Sequence, residues 1–124
     1  MNKILIIEDE EILAKVLEEK LEKHGFSAKI ATDGLSGWEM TKDFKPDLIL
    51  LDLMLPKKDG FEYLKDLKAD HNMSRVPVIV LSNLSEDENI KKALKMGVQD
   101  YFVKAEHPVN EVIEKVTNAL RRGK

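Results

Sequence analysis

Residues Lys3–Ile12 read KILIIEDEEI: one lysine, four consecutive aliphatic residues, then four consecutive carboxylates. An apolar run this short and this continuous suits a strand covered on both faces, not the stripe of an exposed helix. From Ile12 the period changes. Ile12, Leu13, Val16, Leu17 and Leu21 recur at helical spacing until Gly25, which is placed to stop a helix just past its last turn. One strand followed directly by one helix is a βα unit, and the rest of the chain repeats it.

The strands predicted are Lys3–Ile7, Phe26–Ala31, Asp47–Leu51, Val76–Leu81 and Tyr101–Val103. The first, third and fourth are continuously apolar. Phe26, Ala28 and Ile30 alternate with polar neighbours, which suits a strand nearer an edge. Leu35, Trp38 and Thr41 mark a second helix, and Asp59 is placed to cap a third that carries Phe61, Leu64 and Leu67. Ser85 with Glu88 reads as a capping box opening a fourth helix with Ile90, Ala93 and Leu94, and Val109, Ile113, Val116 and Leu120 form the fifth. Strands alternating with helices five times predict an α/β architecture. The tail Arg121, Arg122, Gly123 and Lys124 would face a helix C-terminus or begin a linker.

At 124 residues and 43% hydrophobic composition the chain fits one domain, residues 1–124, able to bury roughly two thirds of its unfolded surface. Twenty basic residues against 23 acidic ones leave a net charge of −3, with both signs interspersed. That gives no basic footprint for nucleic acid and no polybasic membrane anchor, so no direct nucleic-acid binding is expected. The absence of cysteine excludes disulfides, iron–sulfur clusters, thiolate zinc sites and thiol nucleophiles. Lys3 is followed by only four apolar residues before Glu8, too few for a signal peptide or a spanning helix, and a cytoplasmic protein is expected.

Parallel strands joined by right-handed crossovers open their C-terminal ends on one edge, where α/β sheets bind ligands. After the first strand come Glu8 and Asp9; after LILL comes Asp52; after VIVL comes Ser82; after YFV comes Lys104. Each has a bland explanation alone: acids meet helix dipoles, serine caps, and lysine reaches solvent at a strand end. Asp52 resists it, because a carboxylate directly after a buried strand is costly unless a cation or hydrogen bonds compensate. Carboxylates from two strands suit a hard divalent cation such as Mg²⁺, with Glu8 and Asp9 as candidates and Glu10 and Glu11 assigned to the first turn of the next helix. Such a site suits a phosphoryl group, with Mg²⁺, Lys104 and Ser82 on its oxygens and Asp52 as attacking carboxylate. Glycoside hydrolysis also uses two carboxylates, but it needs a large cleft that this chain has little room to build.

Together, Glu8-Asp9, LDLMLPKKDG from Leu51 to Gly60, VIVLS into Ser82, and GVQDYFVK from Gly97 to Lys104 resemble a response-regulator receiver domain of two-component signal transduction, over the whole chain. The resemblance implies a flavodoxin-like, doubly wound fold: a five-stranded parallel sheet in the order 2-1-3-4-5 sandwiched by five helices. It implies that Asp52 accepts a phosphoryl group from a histidine kinase or histidine phosphotransfer protein, in an Mg²⁺-dependent reaction the domain itself catalyses. Asp9, Asp52 and the Met54 main-chain carbonyl would hold the metal, with Glu8 acting partly through water. Lys104 would contact the phosphate. Ser82 would turn toward a phosphoryl oxygen and leave space for Tyr101, coupling phosphorylation to a protein-interaction surface.

Three positions depart from the pattern. Asn83 stands where a small residue usually follows the hydroxyl, Ala105 replaces the usual proline, and Glu8 replaces the more frequent aspartate. Met54 and Asn83 are expected to crowd the phosphoryl group. Without proline, the Lys104–Ala105 peptide is expected to be trans, since a non-proline cis bond costs about 2.5–4 kcal/mol. His24, His71 and His107 lack metal-ligand spacing and are expected at the surface, while Trp38 reads as packing or surface. An Mg²⁺-dependent phosphohydrolase would share these acids and the lysine, but would want a second acid near the nucleophile and a cap domain. A flavin-binding protein would want a phosphate-cradling loop where EDEE stands. An unphosphorylated interaction module would have no use for the complete set of Asp9, Asp52, Ser82 and Lys104.

Overall fold

The computed structural model describes residues 2–122, so Gly123 and Lys124 of the basic tail lie outside the described residues. Five strands and five helices alternate: β1 (Lys3–Ile7), α1 (Glu11–Lys23), β2 (Ser27–Ala31), α2 (Gly34–Phe44), β3 (Leu48–Leu51), α3 (Gly60–Ala69), β4 (Val78–Ser82), α4 (Asp87–Lys95), β5 (Asp100–Val103) and α5 (Val109–Arg122). All strand pairs are parallel, and the sheet order is β2-β1-β3-β4-β5, as the resemblance implies. No described helix is long and apolar enough to cross a membrane.

Strand alternation divides the core in two. Ile4, Ile6, Leu48, Leu50, Ile79 and Leu81 point to one face, where Leu17 and Leu21 of α1 and Val112, Ile113 and Val116 of α5 cover them. Leu5, Ile7, Ile49, Leu51, Val78 and Val80 point to the other, against Tyr63, Leu64 and Leu67 of α3 and Ala93 of α4. Burial on both faces is why these strands read as unbroken apolar runs. β2 lies at the edge and has the mixed pattern expected there, with Lys29 exposed between Ala28 and Ile30.

Several boundaries move. β4 begins at Val78 because Pro77 has no N–H for the ladder, and it extends to Ser82, which pairs with Val103. Asp59 caps α3 as expected and completes a capping box with Glu62. The box expected from Ser85 does not form: the N-cap of α4 is Glu86, so Ser85 stands one residue too early. Leu35 and Leu94 face outward, 52% and 48% exposed. The buried face of α2 is Gly34, Gly37 and Thr41, because the helix lies so close to β1 that a Cβ on Gly37 would press on Ile7. Trp38 packs edge-on to Tyr63, and the Tyr63 hydroxyl lies 2.6 Å from Thr41 Oγ1. His24 and His71 are exposed as expected, but His107 is only partly so, standing edge-on to Phe102.

Candidate functional site at the C-terminal edge of the sheet

Main-chain hydrogen bonds fix the positions of three of the side chains in question. Glu8 N–H donates to Ala31 C=O (2.9 Å), Asp52 N–H to Ile7 C=O (3.0 Å) and Lys104 N–H to Ser82 C=O (2.9 Å). Each bond extends a parallel ladder one residue beyond its strand. Glu8, Asp52 and Lys104 therefore sit side by side at the edge, with Ser82 as the last residue of β4.

Asp52 is buried, and both oxygens of its carboxylate accept hydrogen bonds. Oδ1 accepts from Ser82 Oγ (2.8 Å) and from the Met54 N–H (3.0 Å), while Oδ2 accepts from Lys104 Nζ (2.8 Å). The same ammonium reaches Glu8 at 2.9 Å and Glu10 at 2.6 Å. Beyond Ser82 the contacts run outward: Leu84 N–H donates to Ser82 Oγ (3.4 Å), and Tyr101 Oη–H donates to Leu84 C=O (2.7 Å). Ser82 and Tyr101 are thus separated by a single residue of hydrogen-bonded chain.

Burial raises the Glu8 carboxyl to a pKa of about 7, against the Lys104 hydrogen bond that lowers it, and the neighbouring Asp52 charge adds to the rise. For Lys104, burial pulls the pKa down, but hydrogen bonds to Asp52, Glu10 and Glu8 together outweigh it and hold the ammonium above the ordinary lysine range. Tyr101 is also raised, first by burial and then by the charges of Asp52 and Glu86. One cation is shared among acids that burial penalises.

Glu8, Asp9 and Asp52 each present an oxygen, all within 4.8 Å of one another. Three hard oxygen donors on two strand ends, one of them on exposed Asp9, fit an octahedral Mg²⁺ that keeps water and phosphate positions. Met54 puts its main chain on Asp52 while its side chain is 53% exposed, and Asn83 is exposed nearby in sequence to Ser82. No cis peptide occurs among the described residues, and the trans Lys104–Ala105 bond still leaves the ammonium on Asp52. Of the residues singled out in the sequence, Ser82, Lys104 and the Met54 main chain bond to Asp52, Glu8 and Asp9 stand beside it, and Tyr101, within β5, is reached through Leu84. The sequence reading missed Glu10, which it assigned to the helix turn and which instead contacts Lys104. No local sequence pattern pairs it with Lys104, and the structure shows that as N-cap of α1 it makes no side-chain capping bond.

A family model described as the response regulator receiver domain matches residues 4–117. The DNA-binding dual master transcriptional regulator RpaA of Synechocystis is 35% identical over 122 residues, covering 98% of this chain and 50% of that protein. The chain thus spans about half the length of this relative, and its lack of a basic footprint bears on these 124 residues alone. Among solved structures, the receiver domain of the Francisella response regulator 1452 superposes with a TM-score of 0.90 at 31% identity, each chain covered completely. The BeF3-activated N-terminal receiver domain of Klebsiella pneumoniae RstA gives a TM-score of 0.87 at 32% identity, over 97% of this chain and 99% of that one. With a parallel sheet ordered 2-1-3-4-5 and an acid-lysine cluster at its C-terminal edge, the chain belongs to the response-regulator receiver domains of two-component signalling.

Proposed function

We propose that residues 1–124 form a cytoplasmic, phosphorylation-controlled switch in which Asp52 accepts a phosphoryl group from a phosphohistidine of a histidine kinase or histidine phosphotransfer protein. The observation that carries this reading is the buried Asp52 carboxylate, held at once by Ser82, the Met54 N–H and Lys104. An Asp52 oxygen forms the new O–P bond as the P–N bond of the donor breaks. The released electron pair returns to the imidazole, which takes a proton from solvent. Mg²⁺, when held by Glu8, Asp9, Asp52 and the Met54 main-chain carbonyl, supplies charge neutralisation at the carboxylates and phosphoryl oxygens.

The remaining work belongs to the chain. Lys104 turns one of its N–H donors to a phosphoryl oxygen, and Ser82 Oγ turns from Asp52 Oδ1 to another. Because Leu84 bonds both Ser82 and Tyr101, that turn is transmitted to Tyr101 and to a protein-interaction surface around it. The same groups catalyse phosphorylation and hydrolysis of the aspartyl phosphate, with no separate substrate turned over. The phosphohydrolase alternative draws no support from the relatives, which are regulators.

Incubation with acetyl phosphate or phosphoramidate and Mg²⁺, followed by intact-mass measurement, tests the assignment. One added phosphoryl group is expected on the native protein and none on Asp52→Asn. Undiminished labelling of that variant would place the acceptor elsewhere.

A further inference from the structure

Glu10 is the acid at this edge whose side chain the reading above leaves without a part. It is the N-cap of α1, yet its side chain makes no capping hydrogen bond. Its Oε2 instead spans 94 residues of sequence to Lys104 Nζ, at 2.6 Å the shortest of the contacts that the ammonium makes. An ammonium has three N–H donors, and Lys104 faces three carboxylates, so no donor is left over. The three are unequal. The Glu8 and Asp52 side chains are 3% and 4% exposed, whereas that of Glu10 is 53% exposed. An anion that takes a donor from Lys104 must displace one of them. Displacing Glu8 or Asp52 strands a buried charge, while Glu10 can be returned to water.

The geometry points to Glu10 as a positioning residue, which holds the Lys104 ammonium at the site before phosphorylation and is the partner released when a phosphoryl group takes the lysine. This rests on the reading of Asp52 as phosphoacceptor and of Lys104 as its phosphate contact. Glu10 therefore opposes the phosphorylated state by competing for its lysine. A carboxylate serving only the α1 dipole would not depend on side-chain length.

Two variants separate contact from charge. Glu10→Gln keeps the length and removes the charge. Glu10→Asp keeps the charge and suits the N-cap better, but is one methylene short of the lysine. Binding of beryllofluoride at saturating Mg²⁺, followed by amide chemical shifts, is expected to tighten about two- to fivefold in both, the size of a partly exposed ion pair. In Mg²⁺-free protein the Lys104 ammonium ¹H–¹⁵N signal is expected to be resolved in the native chain and broadened by exchange in both variants. A Glu10→Asp protein that behaves as the native one in either measurement overturns the proposal, because charge near the helix end would then suffice. If the native protein binds no beryllofluoride, the phosphoacceptor reading falls and the release step with it. The ammonium signal still decides whether Glu10 holds Lys104.

Discussion

At the scale of single residues, Lys104 has the largest task, since one ammonium compensates two buried carboxylates and a third at the rim. Removing it leaves Glu8 and Asp52 in a desolvated place without a cation. Lys104→Ala is therefore expected to destabilise the metal-free protein by about 3 kcal/mol, the usual cost of breaking a buried pair from one side. Urea denaturation with and without Mg²⁺ checks this, and most of the loss should return with the metal, because the cation supplies what the lysine did. A variant as stable as the native protein in both conditions would make Lys104 only a charge at a strand end. The positions of Glu8, Asp52, Ser82 and Lys104 were legible in the sequence because each follows or ends a strand, and parallel strands share one edge. Glu10 was not, because its role depends on a side chain reaching across the sheet edge to a residue that no local pattern pairs with it.

Among the elements, the strands were the most readable and the helix entries the least. A strand buried on both faces shows itself as four or five apolar residues, whereas a cap depends on which of several adjacent polar residues takes the N-cap dihedrals. Ser85 and Glu86 illustrate this, since both are polar and only the second becomes the cap. Sheet order came from the resemblance, because strands of equal hydrophobicity carry no mark of their neighbours. Of the caps, that of α2 has the clearest consequence. Asp33 accepts from the Ser36 N–H at 2.7 Å and from the Ser36 hydroxyl at 3.1 Å, and its carboxyl is held below the ordinary aspartate value of 3.8, first by the main-chain bond. A depressed acid contributes stability above its unfolded pKa and loses it as the pH falls through the folded one. Asp33→Ala should therefore cost about 1 kcal/mol near pH 7, as N-cap losses do. The difference from the native protein should begin to shrink as the pH drops below 3.8, where the unfolded carboxyl takes up its proton, and be lost as the pH falls through the lower folded value. Denaturation midpoints of both proteins over that range decide it, and a gap independent of pH would show that the ionised carboxylate is not what caps the helix.

Over the whole molecule, the two apolar layers and the site oppose one another. The layers on either side of the sheet fix the strands, and the strands in turn force Glu8, Asp9, Glu10 and Asp52 together with one lysine among them. Folding thus sets Asp52 against three acids that are already consecutive in the sequence, and burial of Glu8 adds a desolvation cost to the repulsion. A ligand that relieves this in the folded state alone must raise stability by mass action, at about 2.7 kcal/mol for a concentration one hundred times its Kd. For a domain of this size that is a rise of roughly 10 °C in Tm. Mg²⁺ is expected to do this in the native protein. Asp9 contributes an exposed oxygen to the cluster and lies outside the core, so Asp9→Ala should leave the metal-free Tm unchanged or slightly higher, since one repelling charge is gone. It should at the same time lose most of the Mg²⁺ response. Thermal melts of both proteins across an Mg²⁺ titration separate the two effects, and an equal rise in the variant would mean that the cation acts at some place other than the carboxylates of β1 and β3.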